Sequence, residues 1–165
     1  MKFKLVKLSK FSGNKSSLYS IILDGDNETL FDTFVRNNVG NHLKEIEQIF
    51  ATLDAIGKKV GGQDIYFRRK KEGKGGDGVE AIYDFPAAKF RLYCIRYGSA
   101  TLVLGDGGEK NVRAWQDDVQ LSKAAKEMMA ISKILTEAIR ERELSWSNND
   151  FIGKSEFNDQ NEEDE

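Results

Sequence analysis

The sequence contains very little cysteine or histidine, and each shortage excludes a class of protein. Cys94 is the single cysteine, so neither an intrachain disulfide nor a cysteine zinc cluster can form. His42 is the single histidine, which argues against a histidine-based metal site or a serine triad, and we expect it to be an exposed or capping residue. No apolar run reaches the roughly 20 residues that span a bilayer, and the N-terminal Met1-Lys2-Phe3-Lys4 has no apolar stretch long enough for a signal peptide. We therefore expect a cytoplasmic α+β protein without membrane contacts, metal or other cofactor.

Several motifs of common enzymes are also missing. The chain has no phosphate-binding loop of the Gly-x-x-x-x-Gly-Lys-Ser/Thr type and no Gly-x-Ser-x-Gly serine motif. The run Asp24-Gly25-Asp26 lacks the later glycine and glutamate of a calcium loop. The run Gly105-Asp106-Gly107-Gly108 has backbone N–H groups that can hold an anion, but such a run is more typical of a plain turn.

The length and the charge distribution indicate one domain with an acidic end. A chain of 165 residues with 39% hydrophobic residues is long enough for one domain with its own core. The net charge of −2 hides an asymmetry, because residues 156–165 contain six acids and no base. We expect a single α+β domain over residues 1–145 and a disordered, solvating acidic tail over residues 146–165. An alternative role for the tail is to cover a basic surface as a polyanion mimic.

A strongly basic stretch lies in the middle of the chain. Residues 58–74 carry seven basic and two acidic side chains, a net charge of +5. Such clusters attract polyanions, and the neighbouring Tyr66 and Phe67 have rings that stack on bases. The alternative is a solvated loop, which is the usual role of a charge run. On the first interpretation the candidate RNA-binding residues of this stretch are Arg68, Arg69, Lys70, Lys71 and Lys74.

The hydrophobic periodicity predicts strands and helices in separate blocks. The predicted strands are residues 3–8, 18–23, 79–84, 89–97 and 100–104, the last two joined by a two-residue Gly98-Ser99 turn. The predicted helices are residues 28–38, capped by Asn27, residues 43–56 and residues 119–142. This order predicts an α+β fold. An antiparallel twisted sheet, formed by the N-terminal strands and a three-stranded meander, packs against an N-terminal helical hairpin, and a helix follows.

The middle strand of the predicted meander carries the most suggestive side chains. One face has the apolar residues Phe90, Leu92 and Cys94, and the other has Arg91 and Tyr93. We expect the first face to be core and the second to be open to solvent. Further basic residues that accompany this strand are Arg96, Lys110 and Arg113.

These residue types suit the cleavage of RNA beside a 2′-hydroxyl. That reaction needs a proton taken from the nucleophile, a neutralised phosphorane and a protonated leaving oxygen. Arginine and lysine are permanent donors to phosphate, and tyrosine can move a proton or stack on a base. The alternative is that Arg91 and Arg96 are rim residues of a solvated sheet face.

The same segments resemble a known family. Three runs carry the likeness: Gly76-Asp77-Gly78-Val79-Glu80-Ala81-Ile82-Tyr83, then Lys89 to Tyr97, then Leu102-Val103-Leu104-Gly105 with Lys110. They are similar to the sheet of RelE/HigB-like toxins, which belong to the RelE/ParE superfamily of bacterial toxin–antitoxin systems. The helical half, Leu30-Phe31-Asp32-Thr33-Phe34 followed by an amphipathic helix, also looks similar. The resemblance covers roughly residues 18–140.

The resemblance implies a small ribonuclease that cuts mRNA on the ribosome without a metal. Arg91 falls on the family's strand arginine, which contacts the scissile phosphate, and Lys110 or Arg113 falls near the basic residue after the last strand. Tyr93 would stack on a base or relay a proton, so the implied catalytic residues are Arg91, Tyr93 and Lys110. The implied partners are mRNA, the ribosome and a cognate antitoxin of the helix-turn-helix type.

The chain departs from the family at positions near the expected site. Glu80 and Ile82 or Tyr83 stand where RelE has two lysines, and Asp84 stands where HigB-like chains often have an arginine. Two alternatives therefore remain open beside the endoribonuclease toxin. One is a non-catalytic module of the same fold that binds protein or nucleic acid, and the other is a topoisomerase inhibitor of the ParE type.

Overall fold

The computed structural model describes residues 1–69, 78–110 and 115–158. Within these ranges the protein is an α+β fold with a mostly antiparallel sheet and three α-helices. The strands are β1 (Lys2–Lys7), β2 (Ser17–Leu23), β3 (Phe67–Arg69), β4 (Val79–Ile82), β5 (Phe90–Tyr97), β6 (Thr101–Glu109), β7 (Leu144–Ser147), β8 (Asp150–Gly153) and β9 (Glu156–Asn158). The helices are α1 (Leu30–Asn38), α2 (Leu43–Ala55) and α3 (Trp115–Arg140).

Seven of the strands form one sheet in the order β3-β4-β5-β6-β2-β1-β9, and β7 pairs with β8 in a separate hairpin. The predicted meander is β4-β5-β6, with antiparallel pairing throughout. The prediction of a wholly antiparallel sheet is wrong at one place, because β2 and β6 are parallel. After β2 the chain passes through α1 and α2 to β3 at the far edge of the sheet. It then returns strand by strand through β4 and β5 to β6, which lies beside β2. This crossover lets two strands far apart in sequence run in the same direction.

The sheet is covered by helices on both faces, and each face has its own core. On one face the rings of α1 and the aliphatic residues of α2 pack against Phe90, Leu92 and Cys94 of β5. On the other face α3 buries Met128, Ile131 and Leu135 among residues that include Ile95 and Val103. None of the helices in the described ranges has the length and apolar character needed to cross a membrane.

The first helix begins two residues later than predicted. Thr29, not Asn27, is the N-cap: its hydroxyl accepts a hydrogen bond from the Asp32 N–H at 3.0 Å, and the Asp32 carboxylate accepts one from the Thr29 N–H at 3.1 Å. This reciprocal capping box satisfies two N–H groups that the start of a helix would otherwise leave unpaired. With Asn27 as the N-cap, the residue three positions later would be Leu30, whose side chain cannot accept the second bond.

The glycine-rich run at residues 105–108 is part of a strand and not a turn. Residues 105–108 lie inside β6, so the predicted turn is wrong and β6 ends five residues later than expected, at Glu109. The close approach of β5 requires a glycine at position 107, because a Cβ there would lie 1.9 Å from the Arg91 carbonyl oxygen. The pairing of β5 and β6 shifts register in this region. The preceding hairpin loop also has three residues, Gly98 to Ala100, because Tyr97 pairs with Thr101.

The C-terminal segment is ordered further than its composition predicts. Residues 144–153 form the β7–β8 hairpin, and β9 adds to the edge of the sheet beside β1. The prediction that the chain is disordered from residue 146 is therefore wrong over residues 146–158. Phe157 is buried and stacks on Phe3 with ring centroids 5.1 Å apart, which anchors the acidic segment to the sheet. Residues 159–165 lie outside the described part of the chain.

Candidate nucleic-acid interface

The face of β5 that carries Arg91 is not open to solvent. Ile95, two positions beyond Tyr93 on this face, is 1% exposed and belongs to the core beneath α3. Arg91 itself is only 8% exposed. The expectation of a solvated face is wrong, because α3 folds back across the meander and covers it. The sequence pattern showed two faces of β5 but contained no signal for which helix would cover the second one.

The buried Arg91 guanidinium lacks an ion-pair partner in the described ranges. Its Nη1 donates to the backbone carbonyls of Ala88 at 3.1 Å and Phe90 at 2.9 Å. No described residue accepts a hydrogen bond from Nε or Nη2. Burial, and then the positive charge of Arg68, lower the pKa of Arg91. An arginine stays charged near neutral pH, so this place holds a buried cation whose Nε and Nη2 have no acceptor among residues 1–69, 78–110 and 115–158.

Asp84 holds the turn that leads into the arginine strand. Its Oδ1 accepts a hydrogen bond from the Phe90 N–H at 2.7 Å, and its backbone carbonyl accepts one from the Ala88 N–H at 2.8 Å. Asp84 is fully buried, and its Oδ2 has no hydrogen-bond partner in the structure as described. The carboxylate also attracts Arg91 electrostatically. Asp84 therefore has a structural role, since its hydrogen bonds hold the turn before β5.

A rim of exposed cationic and aromatic groups borders Arg91. The register places Arg68 opposite Ala81 and Ala81 opposite Tyr93, so Arg68 and Tyr93 share one face of the sheet. The Arg68 guanidinium carbon lies 5.1 Å from the centre of the Tyr83 ring. The Tyr83 hydroxyl donates to the Ile65 carbonyl at 2.8 Å, which fixes the ring.

Phe85 extends this rim into solvent. Its ring centroid lies 5.8 Å from that of Tyr83, and the residue is 55% exposed. The exposed Phe85 ring provides a π-face of the kind on which bases stack, beside a Tyr83 ring that Arg68 covers. Sequence reasoning missed both rings. The proline after Phe85 marked a turn, but no pattern indicated that the ring would point outward.

Lys110 lies at the same end of the meander as Arg91. Arg91 pairs with Gly108, and the Lys110 N–H donates to the Lys89 carbonyl at 2.6 Å, which continues the ladder by one rung. Side chains two residues apart on a strand point to the same face, so Lys110 and Gly108 share the face of Arg91. Lys110 is exposed. The structure thus brings together four of the predicted residues: Arg68, Arg91, Tyr93 and Lys110.

Arg96 does not join this group. It lies on the opposite face of β5, where its Nη2 donates to Asp64 Oδ1 and to the Gly62 carbonyl, both at 2.7 Å. Its Nη1 lies 3.4 Å from Glu80 Oε1, and its guanidinium carbon lies 4.3 Å from the centre of the Phe67 ring. These contacts leave the Arg96 side chain 14% exposed. With the bond from Nε to the Gly98 carbonyl at 3.1 Å, four of the five guanidinium N–H donors are used, so this arginine ties β5 to the segment before β3.

The remaining predicted RNA-binding residues cannot be placed against Arg91. Arg69 ends β3, opposite Glu80. Lys70, Lys71, Lys74 and Arg113 lie outside the described residues. β9, which holds the last described residues, and β3, which holds Arg68 and Arg69, lie at opposite edges of the sheet.

The single histidine and the single cysteine of the chain both lie in the described residues. His42 stands at the N-cap position of α2 without a side-chain capping bond, and its ring packs edge-on against Phe90. Cys94 is buried, and burial raises the pKa of its thiol. No group of three or more histidine, cysteine, aspartate or glutamate side chains within the described ranges could hold a metal ion.

Comparison with known proteins gives no relative from which a role could be transferred. No protein-family model, curated protein or solved structure matches the chain.

Proposed function

We propose that this protein is the toxin of a bacterial type II toxin–antitoxin system and cleaves mRNA on the ribosome in the cytoplasm. In this proposal the surface around Arg91 binds the RNA backbone, and the chemistry needs no metal because the RNA supplies its own nucleophile. The partner would be a cognate antitoxin of the helix-turn-helix type. The proposal combines the sequence resemblance with the arrangement of side chains at one end of the meander.

The observation that carries the proposal is the buried guanidinium of Arg91, which forms no ion pair with a carboxylate in the described ranges. A charge removed from water is costly unless an opposite charge or a full set of hydrogen bonds compensates it. Arg91 uses one nitrogen on backbone carbonyls, and no described carboxylate hydrogen-bonds the others. A phosphate is a fitting compensating group, because a guanidinium binds it through two parallel hydrogen bonds. The nearby Arg68 adds positive charge that favours the same ligand.

The surroundings of Arg91 suit RNA better than a free phosphate ion. Arg68 and Lys110 are exposed cations on either side that can contact neighbouring phosphates. Tyr83 and Phe85 offer rings for base stacking. A ligand that presents phosphates and bases at regular intervals would use all of these groups.

The proposed reaction is an internal transesterification. The 2′-oxygen loses its proton and forms a bond to the adjacent phosphorus, while the bond from phosphorus to the 5′-oxygen breaks and that oxygen gains a proton. Arg91 would neutralise the charge on the five-coordinate phosphorus. Tyr93 would stack on a base or carry a proton, and Lys110 would hold the backbone beside the scissile phosphate.

A binding module without chemistry is the second candidate, and one observation favours it. Arg91 is 8% exposed, so a scissile phosphate can reach it only if the residues around it move. The exposed Arg68 and Phe85 and the half-buried Tyr83 between them need no such movement. RNA or an acidic protein segment could bind there without reaching Arg91 at all.

Inducible expression in a bacterial host with mapping of RNA 5′ ends tests the proposal. We expect the wild type to stop growth and to create new ends inside translated mRNAs. Arg91→Ala and Lys110→Ala should each reduce both effects. Arg140→Ala, which removes an exposed arginine of α3 that pairs with Glu137, should retain both.

The other possible results would each contradict the assigned site or favour one of the alternative functions. RNA cutting by folded Arg91→Ala at the wild-type rate would overturn the assigned site. DNA damage signalling without RNA cutting would favour a ParE-like inhibitor, and a folded but harmless wild type would favour the binding module. Circular dichroism establishes whether each variant is folded. If the variant of the buried Arg91 does not fold, the exposed Lys110→Ala still tests the site.

A further inference from the structure

A polar cavity of about 640 Å³ lies between the loop that joins β1 to β2 and the turn of the β7–β8 hairpin. The residues that line it include Lys7, Ser9, Asn14, Ser17, Asn148 and Asp150. It is far from the candidate RNA interface. Ser17 pairs with Thr101 at the start of β6, whereas Arg91 pairs with Gly108 near its end. Seven residues of strand separate these positions, or roughly 23 Å.

The cavity is built by tertiary hydrogen bonds between segments distant in sequence. The Thr101 hydroxyl donates to the Asn149 carbonyl at 2.7 Å, and the Asn149 amide donates to the Asn14 carbonyl at 2.9 Å. The Phe151 N–H donates to the Tyr19 hydroxyl at 2.9 Å. These bonds dock the hairpin against the sheet and hold the two walls at a fixed separation. The site is therefore formed before any ligand arrives.

The charges in the cavity cancel. Asp150 Oδ1 accepts a hydrogen bond from the Ser17 hydroxyl at 2.5 Å and lies 2.9 Å from Lys7 Nζ. The Ser17 hydrogen bond, followed by that of Lys7, lowers the pKa of Asp150, so the carboxylate stays ionised. One lysine and one aspartate give the lining no net charge. An anion would meet the carboxylate and a cation would meet the lysine, so neither is favoured.

The cavity still offers unused donors and acceptors. Oδ2 of Asp150 accepts no hydrogen bond from any residue within the described ranges. Lys7 has further N–H donors after the bond to Asp150, and the amides of Asn14 and Asn148 each present both a donor and an acceptor. The lining is predominantly polar and has no aromatic ring or large aliphatic side chain. This composition excludes an apolar ligand, since most pockets that hold one are lined by hydrophobic groups.

We propose that this cavity binds an uncharged polyhydroxylated ligand of the sugar class. A vicinal diol can donate one hydroxyl to Asp150 Oδ2 while its neighbour accepts from Lys7 or an asparagine amide. Alternating donors and acceptors along the ligand match those of the lining, without a charge to compensate. The volume lies within the roughly 300–1,000 Å³ of small-molecule sites. The inference is independent of the RNA proposal, because none of its residues belongs to that surface.

Titration of ¹⁵N-labelled protein with D-glucose, D-ribose and maltose tests the proposal. We expect at least one sugar to shift the side-chain amide signals of Asn14, Asn148 and Asn149. Asn148→Gly should weaken that binding by roughly tenfold, the cost of about one hydrogen bond. Asn148 has a φ of 55°, so glycine preserves the turn while removing the amide.

The control is Asn27→Gly, which removes an exposed amide from the loop before α1 and should bind as the wild type does. Three results would overturn the proposal: no shift with any of the three sugars at millimolar concentration, shifts confined to other parts of the protein, or equal binding by Asn148→Gly. Binding of inorganic phosphate or spermidine in the cavity in place of the sugars would also overturn it, because the lining would then select charge.

Discussion

Asp84 and Phe90 are joined across the β4–β5 turn by a hydrogen bond of 2.7 Å from the Phe90 N–H to Asp84 Oδ1. Both residues are 0% exposed, so water cannot replace either partner. Phe90 is the first residue of β5, and Arg91 follows it. One buried carboxylate therefore determines where the strand that carries the candidate RNA-binding arginine begins.

Replacing this carboxylate should destabilise the fold. Asp84→Ala leaves the buried Phe90 N–H without an acceptor, which costs about 1–3 kcal/mol of unfolding free energy. Asp84→Asn keeps an acceptor oxygen and should cost less. Urea denaturation measures both, with the exposed Asp24→Ala as control. Wild-type stability in Asp84→Ala would contradict this role for the bond.

Two adjacent glycines of β6 should respond differently to alanine. A Cβ on Gly107 would lie 1.9 Å from the Arg91 carbonyl oxygen, so the two strands would have to separate. We expect Gly107→Ala to lower the unfolding free energy by roughly 1–3 kcal/mol or more. A Cβ on Gly108 meets nothing closer than Gln120 at 3.7 Å, so Gly108→Ala should be nearly neutral.

Thermal unfolding of this matched pair gives the comparison, and RNA binding adds a second measurement. Since Gly107 adjoins the backbone of Arg91, its alanine variant should also lose RNA affinity, whereas Gly108→Ala should keep it. Equal stability in the two variants would mean that the close approach of β5 and β6 does not require glycine.

Arg96 should matter for stability and not for RNA binding. Arg96→Ala removes hydrogen bonds to Asp64 and Gly62 and leaves Glu80, with a side chain 17% exposed, without its arginine. We expect a loss of about 2–3 kcal/mol, typical of hydrogen bonds to charged groups. RNA affinity per folded molecule should be unchanged, as measured by fluorescence anisotropy at a temperature well below unfolding. A large loss of affinity in folded Arg96→Ala would return this residue to the interface.

Two half-buried acids should make the fold less stable as the pH rises. Burial raises the pKa of Asp106 above its ordinary 3.8 and that of Glu127 above its ordinary 4.5. Above these ordinary values the folded protein retains protons that the unfolded chain has released, so stability falls until the pH passes the raised pKa values. Asp106→Asn and Glu127→Gln remove this loss.

Both variants should therefore unfold at higher urea concentration than the wild type near neutral pH and show no such gain in acid. Asp106→Asn retains an acceptor for the Gly107 N–H, which the wild-type carboxylate binds at 2.7 Å. The control is the exposed Glu47→Gln on α2. A gain of the same size at every pH would mean that proton linkage is not its cause.

Local patterns in the sequence were enough to predict most of the elements. Alternation in β1, the three- and four-residue spacing in α2 and the consecutive strands of the meander are local signals, because strand and helix periodicity arise from the backbone itself. The grouping of Arg91, Tyr93 and Lys110 at one end of the meander also follows from alternation once the strands pair. The candidate RNA interface was therefore predicted in part from residues close together in the chain.

The tertiary structure decided what local patterns could not encode. The burial of Ile95, on the same face of β5 as Arg91, depends on α3 crossing the second face of the sheet, and the outward position of Phe85 depends on a turn held by Asp84. Phe157 is part of an acidic segment, yet it becomes a strand residue because Phe3 offers it a partner from the other end of the chain. Composition reports the average solubility of a segment, whereas burial depends on a few long-range contacts. The cavity between Asn14 and Asp150 could not be predicted from local sequence patterns for the same reason. The residues that line it come together only when the β7–β8 hairpin packs against the sheet.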